Sequence, residues 1–224
     1  MPDSSSLASA DEIHAYLVEE MNHALRRPGM YGYEGALRMV LDHLLFVEGQ
    51  PEARAEQEKV WEEGGAWSST GVTGAIRRYL PDRSRDGMAS VYGEFARRRG
   101  WLRPERVLTA DEYRALRGRV RAWAGADRVW GDVVDAFGEP SVLFGGTSPL
   151  YGKTLSYLTE DPDEPMVSFH LWNGTTPDTD SSWPPEHEQP LLLAVRLEGG
   201  VFSESFTFTP EGERQRRELT GLFT

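Results

Sequence analysis

The spacing of apolar residues changes once along this chain, near Pro140, and that change constrains the fold class more than any other feature. Before it, apolar side chains recur every three or four residues, as they do in residues 13–24, which indicates amphipathic helices. After it, they alternate with polar ones, as they do in residues 166–172, which indicates strands. Helices followed by strands predict an α+β fold, rather than the alternating units of a parallel sheet.

The helical part is predicted to span residues 9–138 and to contain about seven helices. Ser9 with Glu12, and Thr109 with Glu112, have the spacing of a capping box, in which each side chain satisfies a free backbone amide. Pro28-Gly29 is interpreted as the end of the first helix, because a residue before proline avoids the α region.

The β part is predicted to span residues 140–209 as an antiparallel sheet of about five strands, with helices covering one face. Two of the strands, 191–197 and 202–208, flank Gly199-Gly200 and predict a hairpin. Thr209-Pro210 then begins a short terminal helix over 210–220. A single domain covering residues 1–224 accommodates all of these elements.

Composition limits the setting of the protein more than its function. The net charge of −12 opposes general nucleic-acid binding, and no cysteine is present to form disulfides or metal sites. The 22 arginines against two lysines are typical of a GC-rich bacterial genome. The first ten residues lack the pattern of a signal peptide, and no apolar run approaches a membrane span. We therefore expect a cytoplasmic protein without membrane contact.

Residues 77–128 form the one basic segment, with 14 arginines and 7 acids. Its densest part predicts an alternative function in nucleic-acid binding, because arginines beside an aromatic ring can contact phosphates and stack on bases. The residues concerned are Arg97, Arg98, Arg99, Trp101 and Arg103, within a segment that ends at Arg106. We favour instead an internal salt-bridge network with the acidic first third of the chain.

Residues 146–154 end in Gly-Lys-Thr and invite comparison with a phosphate-binding P-loop. Five residues separate the two glycines, where that motif has four, and Pro149 removes one backbone amide. The residues that follow predict a strand rather than a helix. We therefore interpret the segment as a glycine-rich loop between strands.

Residues 27–32 have the sequence Arg-Pro-Gly-Met-Tyr-Gly and resemble the Arg-Pro-Gly-Met-Tyr element of gyrase-B-type ATPases. The resemblance implies a nearby helix with a catalytic glutamate and a magnesium-binding asparagine, followed by Asp-x-Gly-x-Gly. Here the next helix offers Asp42 and His43 but no asparagine, and Asp-x-Gly-x-Gly does not occur. We interpret the element as a helix end whose Met30 and Tyr31 pack into the core.

The segment 173–190 is a long polar loop, and loops of this length inside a compact domain are often functional. Glu186, His187 and Glu188 could bind a divalent cation, but they are adjacent in sequence, so we predict no metal site. A tryptophan within the loop, Trp183, favours a role in recognition.

An enzyme remains the first alternative function. His170 could serve as a general base, because the ordinary pKa of histidine lies near neutrality. Lys153, Ser148 and the loop carboxylates would complete a hydrolase or transferase site, although no Gly-x-Ser-x-Gly motif supports one.

The sequence favours a noncatalytic protein-binding module that requires no cofactor. Its acidic recognition surface would suit another cytoplasmic protein, such as a basic partner that it neutralises. The surface is predicted around the loops 145–153 and 173–190. Its candidate binding residues are Tyr151, Lys153, His170, Trp172, Asn173, Asp178, Asp180, Trp183 and His187.

Overall fold

The computed structural model describes residues 7–81, 85–174, 184–197 and 201–221. Within these ranges, eight helices precede a five-stranded antiparallel sheet and a ninth helix follows it, which confirms the predicted α+β fold. The helices are α1 Ala10–Arg26, α2 Pro28–Tyr31, α3 Tyr33–Val47, α4 Ala53–Gly64, α5 Gly71–Ile76, α6 Arg85–Arg98, α7 Ala110–Trp123, α8 Trp130–Phe137 and α9 Pro210–Gly221. The strands are β1 Val142–Phe144, β2 Lys153–Tyr157, β3 Val167–Trp172, β4 Leu191–Leu197 and β5 Phe206–Phe208.

Both predicted capping boxes form. The Ser9 side chain accepts a hydrogen bond from the backbone N–H of Glu12, and the Glu12 carboxylate accepts one from the backbone N–H of Ser9. Thr109 and Glu112 make the same pair of bonds at the start of α7. None of the described helices has the length and apolar character needed to cross a lipid bilayer.

The sheet is a meander in which each strand pairs with its neighbour in the chain. The prediction of one strand over 202–208 was wrong in its first half. Phe202–Glu204 form a 3-10 turn, and only Phe206–Phe208 pair with β4. The turn packs the Phe202 ring against Phe206 instead of extending the ladder, so ring packing replaces strand pairing here.

Helices cover both faces of the sheet, whereas the sequence predicted one covered face. One face packs on α6, which contacts β1, β2 and β3, with α1 and α3 behind it. The opposite face packs on α7 and α8 in a second apolar cluster that includes Tyr157 and Phe169. The polar residues that alternate with apolar ones along the strands suggested a face in contact with water. These polar side chains instead lie buried under α6.

Those polar side chains bond to one another across the sheet and α6. Arg196 of β4 donates two hydrogen bonds to the carboxylate of Glu94 on α6, at 2.7 and 3.2 Å. The side chains of this ion pair are only 2% and 5% exposed. Ser156 and Ser168 bond to each other across β2 and β3 at 2.7 Å. Pairing of this kind offsets the cost of removing polar groups from water.

The first helix ends before Pro28-Gly29 as predicted, since α1 stops at Arg26 and Arg27 lies outside the α region. Pro28 then begins the short helix α2, and Gly32 turns the chain into α3 with a φ of 98°. Met30 is 75% exposed and Tyr31 is 40% exposed, so the prediction that both pack into the core was wrong. A four-residue helix is too short to bury a full apolar face, and it leaves both side chains at the surface.

Candidate functional site

A cleft of about 650 Å³ opens at one end of the sheet. Its walls are α2, the first turn of α6, the β1–β2 loop and the end of β3. Cavities of this size hold small ligands or short peptide segments. The cleft also brings together the two loops in which the sequence predicted recognition.

The β1–β2 loop is held from both sides. The backbone N–H of Gly145 donates to the Arg26 carbonyl at 2.8 Å, which ties the loop to the end of α1. The Lys153 ammonium donates to the carbonyls of Gly146 at 3.2 Å and Ser148 at 2.5 Å. The lysine that suggested a phosphate-binding loop therefore supports its own loop, and a strand rather than a helix begins at Lys153.

Lys153 is buried, and its ammonium lies 4.1 Å from the centre of the Trp130 ring. Burial lowers the pKa of Lys153 to about 8, while the nearby carboxylate of Asp86 opposes that change. Its contacts are with the loop and a ring of α8, so Lys153 acts as a support beneath the cleft.

Asn173 joins the two loops at the end of β3. Its side-chain amide donates to the carbonyl of Leu150 and to the carbonyl of His187, both at 2.8 Å. Its side-chain oxygen accepts from the backbone N–H of His187 at 3.0 Å. One residue thus fixes the β1–β2 loop against the far end of the 173–190 segment.

Asp86 is the one acidic residue among the described residues that line the cleft. Its carboxyl group lies against Gly145, where a Cβ would approach the carboxyl carbon and oxygens to 2.9–3.0 Å. Burial raises the pKa of Asp86 to about 7, although Lys153 and Arg85 act in the opposite direction. A carboxyl group with this pKa changes charge near neutral pH.

The outer edge of the cleft has the composition of a protein interface. Met30 is 75% exposed and Tyr151 is 45% exposed, while Arg27 and Arg85 present cationic side chains beside them. Methionine, tyrosine and arginine are enriched in interfaces, and tyrosine and arginine also in hot spots. Trp172 contributes a partly buried aromatic surface deeper in the cleft.

His170 lies outside the cleft and under α6. Its ring is 3% exposed, and its Nδ1 is 3.0 Å from the Thr154 hydroxyl. Burial lowers the pKa of His170 well below its usual range, and the Arg196 cation adds to that effect. His170 lines a cavity of about 10 Å³, close to the minimum that one water molecule occupies.

The structure does not gather the three residues of the hydrolase alternative into one pocket. Lys153 and Ser148 meet through the Ser148 carbonyl. His170 pairs with Thr154 on the α6 face of the sheet, whereas the adjacent Lys153 points to the opposite face, because side chains alternate along a strand. A buried, neutral imidazole on the other face has no direct path to a group bound near Ser148.

Other predicted site residues fall in several places. His187 is held through its backbone, and its ring is 3.9 Å from the Glu186 carboxylate. Asp178, Asp180 and Trp183 lie outside the described residues. The described part of the chain contains no group of three or more histidines or acids arranged to hold a metal ion.

The arginine-rich segment is largely engaged within the molecule. Arg97 donates to the carbonyls of Thr159, Asp161 and Glu164. Arg99 pairs with Glu48, which also accepts a hydrogen bond from the buried Trp101 indole. Within the segment, Arg98 and Arg103 are exposed. The Arg99–Glu48 pair is of the predicted kind, because Glu48 belongs to the acidic first third of the chain, whereas Arg97 bonds to backbone carbonyls of the β part.

Sequence reasoning missed Arg85 and Asp86 as site residues, and it included Gly145 only as the first residue of the predicted loop 145–153. They come from the start of α6 and the end of β1, and only the packing of α6 on the sheet brings them together. Arg27 and Met30 belong to the element 27–32, whose resemblance to gyrase-B-type ATPases was the one indication in the sequence that these residues are functional.

Comparison with protein-family models, curated proteins and solved structures finds no match to this chain. The assignment of a site therefore depends on the geometry of the cleft.

Proposed function

We propose that this protein is a noncatalytic protein-binding module of the bacterial cytoplasm, and that the cleft between α2 and the β1–β2 loop receives a segment of its partner. The observation that carries this proposal is that two exposed apolar side chains, Met30 and Tyr151, both line the cleft of about 650 Å³. Exposed apolar side chains gathered at a concave site mark interaction surfaces more often than isolated ones do.

The supports beneath the cleft strengthen the proposal. The side chains of Lys153 and Asn173 form hydrogen bonds with backbone groups of the two loops, so the cleft is formed before a partner binds. A preformed site loses less conformational entropy on binding, which favours affinity.

The net charge of −12 supports a partner that is basic overall, as the sequence predicted. Long-range attraction between opposite net charges raises the association rate and weakens as salt increases. The arginine bias and the lack of cysteine fit the cytoplasmic, bacterial setting of the proposal.

Affinity capture from a nuclease-treated native lysate tests this function, with partners eluted by salt and identified by mass spectrometry. The Met30→Ser/Tyr151→Ser variant removes the apolar edge of the cleft. Phe46→Ser is the matched control, since Phe46 is 74% exposed on α3 and does not line the cleft. One stoichiometric partner should be retained by the wild type and by Phe46→Ser and lost from the cleft variant. Equal retention by all three proteins, or no retained protein, would overturn the proposal.

A further inference from the structure

We infer that the cleft holds a carboxylate of the partner segment, bound between Arg27 and Arg85. This inference rests on the proposed function and adds the chemistry of the group that enters the cleft. A partner that is basic overall can still insert one carboxylate. The net charge of the partner acts over its whole surface, whereas the carboxylate acts at a single contact.

Arg85 is positioned to bind an anion. Its guanidinium stacks over the Tyr33 ring, with the carbon 4.2 Å from the ring centre, and passes beside Gly29 of α2. Stacking uses the face of the guanidinium and leaves its N–H groups, which lie in the plane, for hydrogen bonds. Among the described residues, none accepts a hydrogen bond from Arg85, and its cation acts electrostatically on the Asp86 carboxyl, whose pKa it lowers.

Arg27 lies on the same wall, where it precedes the first residue of α2. Its side chain is exposed, and no described residue forms a hydrogen bond or an ion pair with its guanidinium. The neighbouring Arg26 differs, since it donates to Glu105 and Asn22. The cleft therefore contains two cationic groups whose donors remain available, beside the single acid Asp86.

The β1–β2 loop contains a further backbone N–H without an acceptor among the described residues. The Gly146 carbonyl points at the Lys153 ammonium, and in a trans peptide the next N–H points the opposite way. The backbone N–H of Thr147 therefore faces away from Lys153, and Thr147 lines the cleft. No described residue accepts a hydrogen bond from this N–H. The Ser148 carbonyl also accepts from Lys153, but the peptide bond that follows it offers no comparable donor, because residue 149 is proline and has no N–H.

Charge complementarity selects a carboxylate from a protein. Two arginines and one aspartate line the cleft, and burial already favours the uncharged form of Asp86. Planar, two-pronged pairing with a carboxylate is the geometry that arginine provides best. A polyphosphate or nucleic acid would bring many negative charges to a protein of net charge −12, which repels them. One carboxylate on a segment that also contacts Met30 and Tyr151 avoids that repulsion.

Succinate serves as the probe, in a titration followed by the NMR signals of arginine Nε–Hε groups in the full chain. Sodium chloride at equal ionic strength is the reference. Arg27 and Arg85 should shift saturably with a dissociation constant on the order of 1–10 mM, and chloride should not reproduce the shift. Arg27→Gln and Arg85→Gln should each weaken succinate binding by roughly tenfold. Arg27→Lys should weaken it less, because it keeps the charge and loses only the paired geometry.

Arg114→Gln is the matched control, since Arg114 is 75% exposed on α7 and outside the cleft. Its succinate binding should equal that of the wild type. Absence of a saturable shift, or equal loss of binding in Arg114→Gln, would overturn the carboxylate site.

The two proposals fail in different ways. If the captured partner remains bound to Arg27→Gln and Arg85→Gln but is lost from Met30→Ser/Tyr151→Ser, the protein-binding function stands and the carboxylate inference fails. If succinate binds as expected but the cleft variant still retains its partner, the partner binds elsewhere and both the function at this cleft and the inference drawn from it fail.

Discussion

The carboxyl group of Asp86 lies against the Cα of Gly145, so close that a Cβ at Gly145 would come within 2.9 Å of the carboxyl carbon. Gly145 also has a φ of 112°, which L side chains rarely adopt. This contact joins the start of α6 to the β1–β2 loop and forms the floor of the cleft.

Gly145→Ala should therefore destabilise the protein by about 1–3 kcal/mol, since it combines backbone strain with contact against a carboxyl group. Urea unfolding measures the change. Gly146→Ala is the control one residue further on, where an added Cβ meets no atom within 4 Å. If both substitutions have the same small effect, the close packing of Asp86 on Gly145 is contradicted.

The ionisation of Asp86 should make stability depend on pH. The pKa of Asp86 is about 7 in the folded protein, against 3.8 for an ordinary aspartate, so between these values the folded state binds more protons than the unfolded state. Stability attributable to Asp86 therefore falls as pH rises from about 4 to about 7. The charged groups that act on this carboxyl are Lys153 and Arg85, and both favour its ionised form.

The measurement is the unfolding free energy of the wild type minus that of Asp86→Asn, followed across and above this pH range. Titrating groups that do not interact with Asp86 cancel in the difference, whereas Lys153 does not, because Asp86 raises its pKa to about 8 from a still lower value. The difference should decrease with rising pH and level off once Lys153 has also titrated, above about pH 8. A difference that increases with pH would show that Asp86 is stabilised in its charged form.

Asn173 should be necessary for the alignment of the two loops. Asn173→Ala removes three hydrogen bonds to backbone groups of Leu150 and His187 and should cost about 1–3 kcal/mol. Hydrogen exchange at the His187 amide should accelerate more than exchange in the core strands. His187→Ala keeps the backbone groups that Asn173 contacts, and it should leave the exchange pattern nearly unchanged. Equal exchange at His187 in the wild type and Asn173→Ala would contradict this role.

Much of the fold was predictable because local signals agreed with the final packing. The capping boxes at Ser9 and Thr109, and the strand over 191–197, follow from side-chain spacing that tertiary structure does not override. The number of covered faces was not predictable in this way. Ser168, His170 and Arg196 are polar by type, and their burial is favourable only because each meets a partner in the folded chain: Ser156, Thr154 and Glu94 respectively.

The candidate site was predictable only in part, because some of its residues meet only through tertiary packing. The loops containing Tyr151 and Asn173 have unusual length and composition, so they attract attention in the sequence. Asp86 and Gly145 are 59 positions apart and have no local pattern that connects them. Their relation appears only when α6 packs across the sheet, and a single sequence carries no signal of that contact.

The buried ion pair between Glu94 and Arg196 should show strong energetic coupling. Arg196→Met removes the buried cation that pairs with the Glu94 carboxylate and should cost about 3–5 kcal/mol. The double variant Glu94→Leu/Arg196→Met should be more stable than Arg196→Met alone, because it also removes the buried carboxylate that has lost this cation. Urea unfolding of the two single variants and the double variant gives the coupling free energy. Arg114→Met, at an exposed pair with Asp111, should change stability little. Additive effects of the two core substitutions would contradict the coupling.

If the cleft contacts a partner protein, a photocrosslinker placed at its edge should capture that partner in native lysate. A benzophenone amino acid replaces Tyr151 at the edge of the cleft or, as the control, Phe46 on α3. We expect a single light-dependent adduct from position 151, none from position 46, and loss of the adduct when Met30→Ser is added. An adduct of equal yield from both positions, or none from position 151, would contradict this contact.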